Sequence, residues 1–210
     1  CIRDRLFIAV LLNSSLVTSG DNDLTKSITL DYENRLKAIF EDFHAHPELS
    51  LAEFETAKKI STALKNHGFT VTENVGGTGV VALLKNGKGP LVMMRADMDG
   101  LPLEEKTDLP YASKDKQLDP VTGNVFPVMH ACGHDVHITA LIGTAKQMVD
   151  LKSEWSGTLM LIAQPAEERV LGARNMMNDN LWERFGKPDY ALAFHVSCLL
   201  YTSPSPRDLS

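Results

Sequence analysis

Gly157-Thr158-Leu159-Met160-Leu161-Ile162-Ala163-Gln164-Pro165-Ala166-Glu167-Glu168 is an apolar run that ends in a proline and two adjacent carboxylates. Residues 157–163 read as a strand covered on both faces, because the run has no polar alternation. Pro165 cannot continue a ladder and ends the strand just ahead of Glu167 and Glu168. The end of a central strand is where open α/β sheets place their catalytic groups. Upstream, residues 69–75 and 80–84 read as strands joined by the Gly76-Gly77-Thr78-Gly79 turn, and Leu91-Val92-Met93-Met94 as another doubly covered strand. Residues 190–196 read as the last strand. Between them lie helical patterns at 29–49, 50–67, 133–151 and, more briefly, 173–177. Asp31 reads as an N-cap or first-turn residue of the first of these. Ser50 and Glu53 have the spacing of a capping box for the second, and Gly68 stops it. Residues 103–127 carry no long element, and no internal repeat is found. Helices alternating with buried strands predict an α/β layer structure.

The 210 residues carry 21 basic and 27 acidic side chains, a net charge of −6, and 43% hydrophobic residues. That is an ordinary globular composition, and it lacks the basic footprint of a nucleic-acid binder. Arg3 and Arg5, the run Leu6–Leu12 and the small residues to Ser19 have the pattern of an export signal cleaved near Ser19, with a buried first element as the alternative. The run is too short to span a bilayer. Export to a periplasm or the extracellular space is therefore the expected location, with a cytoplasmic one as the alternative. Residues 198–210, with Pro204 and Pro206, have no periodicity and read as an irregular, non-native tail. The cysteines are Cys1, Cys132 and Cys198. They make no disulfide framework, and a Cys132–Cys198 bridge is the bland alternative to a ligand thiolate at Cys132.

Residues 129–137 are Met-His-Ala-Cys-Gly-His-Asp-Val-His. Thiolate and imidazole favour borderline divalent ions such as zinc. Gly133 gives the backbone freedom for Cys132 and His134 to converge. Asp135 is placed to orient an imidazole, His137 to support the site, and His130 flanks the cysteine. Of the two glutamates, one can ligate metal while its neighbour takes a proton from water. Asp97 and Asp99 lie on one face at the end of a strand, as orienting groups or ligands. His195 ends the last strand as a further ligand candidate. His44 and His46 read as a helix-end pair of weak electrostatic benefit.

His44-Ala45-His46-Pro47-Glu48-Leu49-Ser50, Arg95 to Pro102, Met129 to His137, Gln164 to Glu168 and the strand ending in His195 together resemble the amidohydrolase branch of the M20 metallopeptidases. That branch contains hippurate hydrolases, N-acyl-amino-acid amidohydrolases and auxin-conjugate hydrolases. The resemblance covers about residues 30–197. It implies a three-layer α/β/α catalytic domain, of which residues 20–197 are the N-terminal part. It also implies a centre of two divalent ions (Zn, Mn or Co), with Cys132, His134, Glu168 and His195 at ligand positions. Glu167 stands at the general-base position and Asp99 at that of the supporting aspartate. The implied substrate is an N-acyl amino acid, with a dipeptidase or an inactive metal-binding fragment as alternatives. The family's lid or dimerisation domain is inserted just beyond the position of His195, and its remaining ligand histidine follows later. The parent protein is thus expected to be a homo-oligomer, and the 210 residues alone to have little activity. Arg169-Val170-Leu171-Gly172 departs from the glycine-richer sequence common at this point in the family.

Overall fold

The computed structural model describes residues 19–196. The expected export signal, the irregular tail and Cys198 lie outside these residues. Helix α1 (Ser19–Asp31) runs through a π-helical turn (Tyr32–Leu36) into α2 (Lys37–Ala45). Then follow α3 (Phe54–Asn66), β1 (Thr70–Val75), β2 (Gly79–Asn86) and β3 (Leu91–Asp97). A hairpin of β4 (Lys116–Leu118) and β5 (Val125–Pro127) occupies the loop-rich stretch. The chain continues with α4 (His134–Asp150), β6 (Gly157–Gln164), α5 (Gly172–Asn178), α6 (Leu181–Phe185) and β7 (Tyr190–Ala193).

The five-stranded sheet has the order β1-β2-β6-β3-β7. Strands β1, β2 and β6 pair antiparallel, whereas β3 lies parallel to both β6 and β7. Side-chain alternation divides the core between the two faces. Val80, Ala82, Leu84, Leu159, Leu161 and Ala163 pack with Ile60, Leu64, Ile138, Leu141 and Ile142 from α3 and α4. Val81, Met160 and Ile162 turn the other way, against Met176 and Leu181 from α5 and α6. The result is helix, sheet and helix in three layers, the α/β layering that the sequence patterns predict and the three-layer form that the resemblance implies. Among the described residues no helix is long and apolar enough to cross a membrane.

Two expected helix starts are corrected. Asp31 does not cap: it lies inside continuous helix, and its carboxylate takes the Nε and Nη2 of Arg35 at 2.9 and 2.7 Å. An i,i+4 ion pair has won over the cap. The Ser50–Glu53 capping box does not form either. Helix α3 starts at Phe54, and the carboxylate of Glu48 accepts the amides of Glu55 and Thr56. Ser50 and Glu53 are released for other work. The last strand is also shorter than expected, ending at Ala193.

Candidate metal centre

Strands β3 and β6 run parallel and in register, Asp97 opposite Gln164, so both deliver their following loops to one edge of the sheet. From β3 come Asp97 and Asp99, and from β6 come Glu167 and Glu168. Beside them Gly133, in the left-handed region at φ 78°, turns the chain into α4 and puts His134 at its first position. A side chain at residue 133 would be strained there.

His134 is fully buried. Its Nδ1 donates to the backbone carbonyl of Asp99 at 2.8 Å. That fixes the ring and leaves Nε2 buried and without a hydrogen bond, its nearest carboxylate oxygen being Asp97 Oδ2 at 3.5 Å. Glu168 Oε1, 3.8 Å from Nε2, is likewise buried and without a partner. Cys132 Sγ, a ring nitrogen of His134 and a carboxylate oxygen of Glu168 form a group lying within 4.8 Å of one another. His195 joins through the thiol, its Nε2 standing 3.5 Å from Cys132 Sγ. A second, overlapping group contains Asp97, His134, His137 and His195. In it His137 is already engaged: Nδ1 donates to Asp97, and Nε2 accepts the amide of Val196 at 3.0 Å. Asp97 also takes Arg95 Nη1 at 2.7 Å.

The charge balance points the same way. Burial, then the carboxylates of Glu168, Glu167 and Asp97, push the Cys132 thiol up to about 11. Burial also raises the pKa of Glu168. Burial opposes a charged His134, yet Asp99, Asp97 and Glu168 outweigh it and raise its pKa. The concentration of negative charge thus favours the protonated forms of both thiol and imidazole, and a cation would compete with those protons. A buried imidazole nitrogen and a buried carboxylate oxygen, both without a hydrogen bond and grouped with a half-buried thiol in that field, fit a divalent transition metal.

The glutamate pair is held through its backbone. The amides of Glu167 and Glu168 donate to Asp99 Oδ1 and Oδ2 at 3.1 and 3.0 Å, and Ser50 Oγ donates to Oδ2 at 2.6 Å. The two side chains then diverge in exposure. That of Glu168 is 18% exposed and that of Glu167 37%, with Glu167 Oε2 3.8 Å from His134 Nε2. The turn closes on the carbonyl of Ala166, which accepts the amides of Leu171 and Gly172. A Cβ on Gly172 would lie 1.5 Å from the carbonyl oxygen of Pro165, so this close approach requires glycine.

Val170, on the same turn, has φ 55° and is 80% exposed. A β-branched residue pays steric strain there and returns no burial, at the point where the resembling family is richer in glycine. Val170→Gly is expected to stabilise the fold by about 1 kcal/mol, the left-handed penalty net of the extra chain entropy of glycine. Equal or lower stability in urea titration would refute this.

His130, Asp135 and His44 differ in part from what the sequence suggested. His130 is buried with neither ring nitrogen partnered, lies outside both groups, and is pushed down to about 4 by its burial. Asp135 orients an imidazole, but that of His44, at 2.6 Å from Nδ1. His44 Nε2 meets Glu105 at 3.0 Å. With a carboxylate at each nitrogen both must donate, and although burial opposes it the pair raises the His44 pKa. His44 therefore ties α2 to the start of α4, beyond the weak helix-end role expected of it. His46 stays at the surface beside Asp115.

Residues 93–200 match Peptidase family M20/M25/M40. The chain belongs to this family. It is 42% identical over 167 residues to a hippurate hydrolase of Campylobacter jejuni, covering 79% of this chain and 40% of the relative. It is 36% identical over 203 residues to IAA-amino acid hydrolase ILR1-like 5 of Arabidopsis thaliana, covering 93% and 44%. The fold resembles the Bacillus subtilis YXEP protein, described as a dinuclear metal-binding peptidase of family M20. That match has a TM-score of 0.68 and 36% identity, covering 79% of this chain and 43% of that one. A putative aminohydrolase from methicillin-resistant Staphylococcus aureus has a TM-score of 0.73 and 32% identity, covering 84% and 44%. The chain thus spans about two fifths of the curated relatives it matches.

Proposed function

We propose that this chain supplies the metal-binding and proton-transfer part of an amidohydrolase that cleaves N-acyl amino acids. The observation that carries the reading is the pair of buried atoms without hydrogen bonds, His134 Nε2 and Glu168 Oε1, on residues that group with Cys132 beside the more open carboxylate of Glu167. Cys132, His134, Glu168 and His195 would hold two divalent ions. When bound, such ions polarise the scissile carbonyl and acidify water. Glu167 accepts a proton from the attacking water as its oxygen adds to the amide carbon. The same carboxyl then gives that proton to the leaving nitrogen as the C–N bond breaks. Asp99 keeps Glu167 and Glu168 in place through their amides and His134 through its ring.

The acyl–amino acid class is favoured over dipeptides because relatives at 36–42% identity are named for hydrolysis of hippurate and of IAA–amino acid conjugates, and one at 41% for deacetylation of N-acetylcysteine. The complete gene product is the material for the test. It should hydrolyse N-acyl amino acids, lose that activity to a chelator, and regain it with Zn²⁺, Mn²⁺ or Co²⁺. Turnover indifferent to chelation would sink the metal reading. Faster turnover of dipeptides would move the substrate class to peptides.

A further inference from the structure

Glu53 is a fully buried carboxylate that the proposed chemistry does not use. Burial raises its pKa, so the position is a costly one for an acid. Its side chain does nothing for the helix it precedes, because Glu48 takes the first free amides of α3. Instead it reaches across the fold. Glu53 Oε2 accepts Thr78 Oγ at 2.6 Å, and Oε1 accepts the amide of Ala166 at 2.7 Å, a residue 113 positions away. Ala166 sits at φ 45°, a left-handed conformation that a non-glycine residue adopts at a cost and that its surroundings must enforce. The next two amides, of Glu167 and Glu168, go to Asp99. Three consecutive N–H groups of one turn thus converge on two buried carboxylates from separate elements.

We propose that Glu53 is a positioning residue of the metal centre: by fixing the Ala166 amide it sets the left-handed step that aims Glu168 at His134 and Glu167 beside it. The inference rests on the reading of Cys132, His134 and Glu168 as a metal site. Asp99 alone pins the turn at its outer two amides, and rotation about that anchor would swing both carboxylates. Glu53 supplies the third point.

The test compares Glu53→Ala, Glu53→Gln and Glu53→Asp in the complete gene product, reading Zn²⁺ affinity and the hydrogen exchange of the Ala166 amide. Glu53→Ala should weaken Zn²⁺ binding about 10- to 100-fold, as loss of a group that orients a ligand does, and should speed exchange at Ala166 more than in the β2–β6 core. Glu53→Gln should restore both readouts to within a few-fold of wild type, since its carbonyl accepts the amide and its NH2 can donate to Thr78. A merely structural role would lower stability without this split. Wild-type Zn²⁺ affinity in folded Glu53→Ala would overturn the proposal. Should that variant fail to fold, Glu53→Asp decides. One methylene shorter, it cannot span both partners, and wild-type affinity there would equally overturn it. Both readouts need no substrate, so a wild type that binds Zn²⁺ but hydrolyses nothing would count against the proposed activity only. If the wild type bound no Zn²⁺, the metal site and this proposal would fall together.

Discussion

Glu167→Gln, made in the complete gene product, is expected to lower amide hydrolysis by about 10²- to 10⁴-fold, the usual yield of a positioned general base, with metal content unchanged. The substitution keeps the length of the side chain and the backbone amide that Asp99 holds at 3.1 Å. It removes only the capacity to take a proton. Glu168 is not expected to substitute, because its Oε1 is buried and its side chain is 18% exposed, whereas that of Glu167 is 37% exposed. The companion change Glu168→Gln should therefore fail differently, with metal lost first and activity as a consequence. Metal analysis and turnover measured on the same samples separate the two. Substantial turnover in Glu167→Gln would remove the base from this position, and equal metal loss in both variants would abolish the division of labour.

Much of this was legible in the chain because the signals are local. Residues 157–163 show as a buried strand because Leu159, Leu161 and Ala163 face one core while Met160 and Ile162 face the other. No polar face interrupts the run. Cys132 and His134 sit two residues apart, and Gly133 between them announces the turn. The hidden part depends on long reach. His44 finds its partners 61 and 91 residues away, so nothing near it betrays a buried ion pair. Ser50 and Glu53 did carry a local signal, and it was the wrong one. Their capping-box spacing is real, but the site recruited both side chains and left the helix start to Glu48. Such a conflict between local pattern and tertiary use is expected near functional sites. The short strands β4 and β5 escaped for a simpler reason: Lys116–Leu118 and Val125–Pro127 are too brief to show a period.

Asp99→Asn is the second large effect, and it turns on a count of donors. Asp99 faces only donors: the Glu167 amide and, at 3.4 Å, His134 Nδ1 on Oδ1, and the Glu168 amide with Ser50 Oγ on Oδ2. Burial works against its charge, but His134, Ser50 and the Glu168 amide outweigh burial and hold its pKa below the usual carboxylate range. An asparagine must turn its NH2 toward one of the two backbone amides, whichever way it flips, and an amide N–H cannot become an acceptor. One buried donor is then unsatisfied and opposed. The expected cost is about 2–4 kcal/mol of stability, together with weaker Zn²⁺ binding as the Glu167–Glu168 turn shifts. At Glu53 the same acid-to-amide change should be mild, because one of its two partners is the Thr78 hydroxyl, which can rotate and accept. Two isosteric substitutions, 46 residues apart and acting on one turn, are thus predicted to differ sharply. Denaturant titration and Zn²⁺ affinity on the pair would show it. If Asp99→Asn were as mild as Glu53→Gln, the hydrogen-bond inventory would not be what holds this turn.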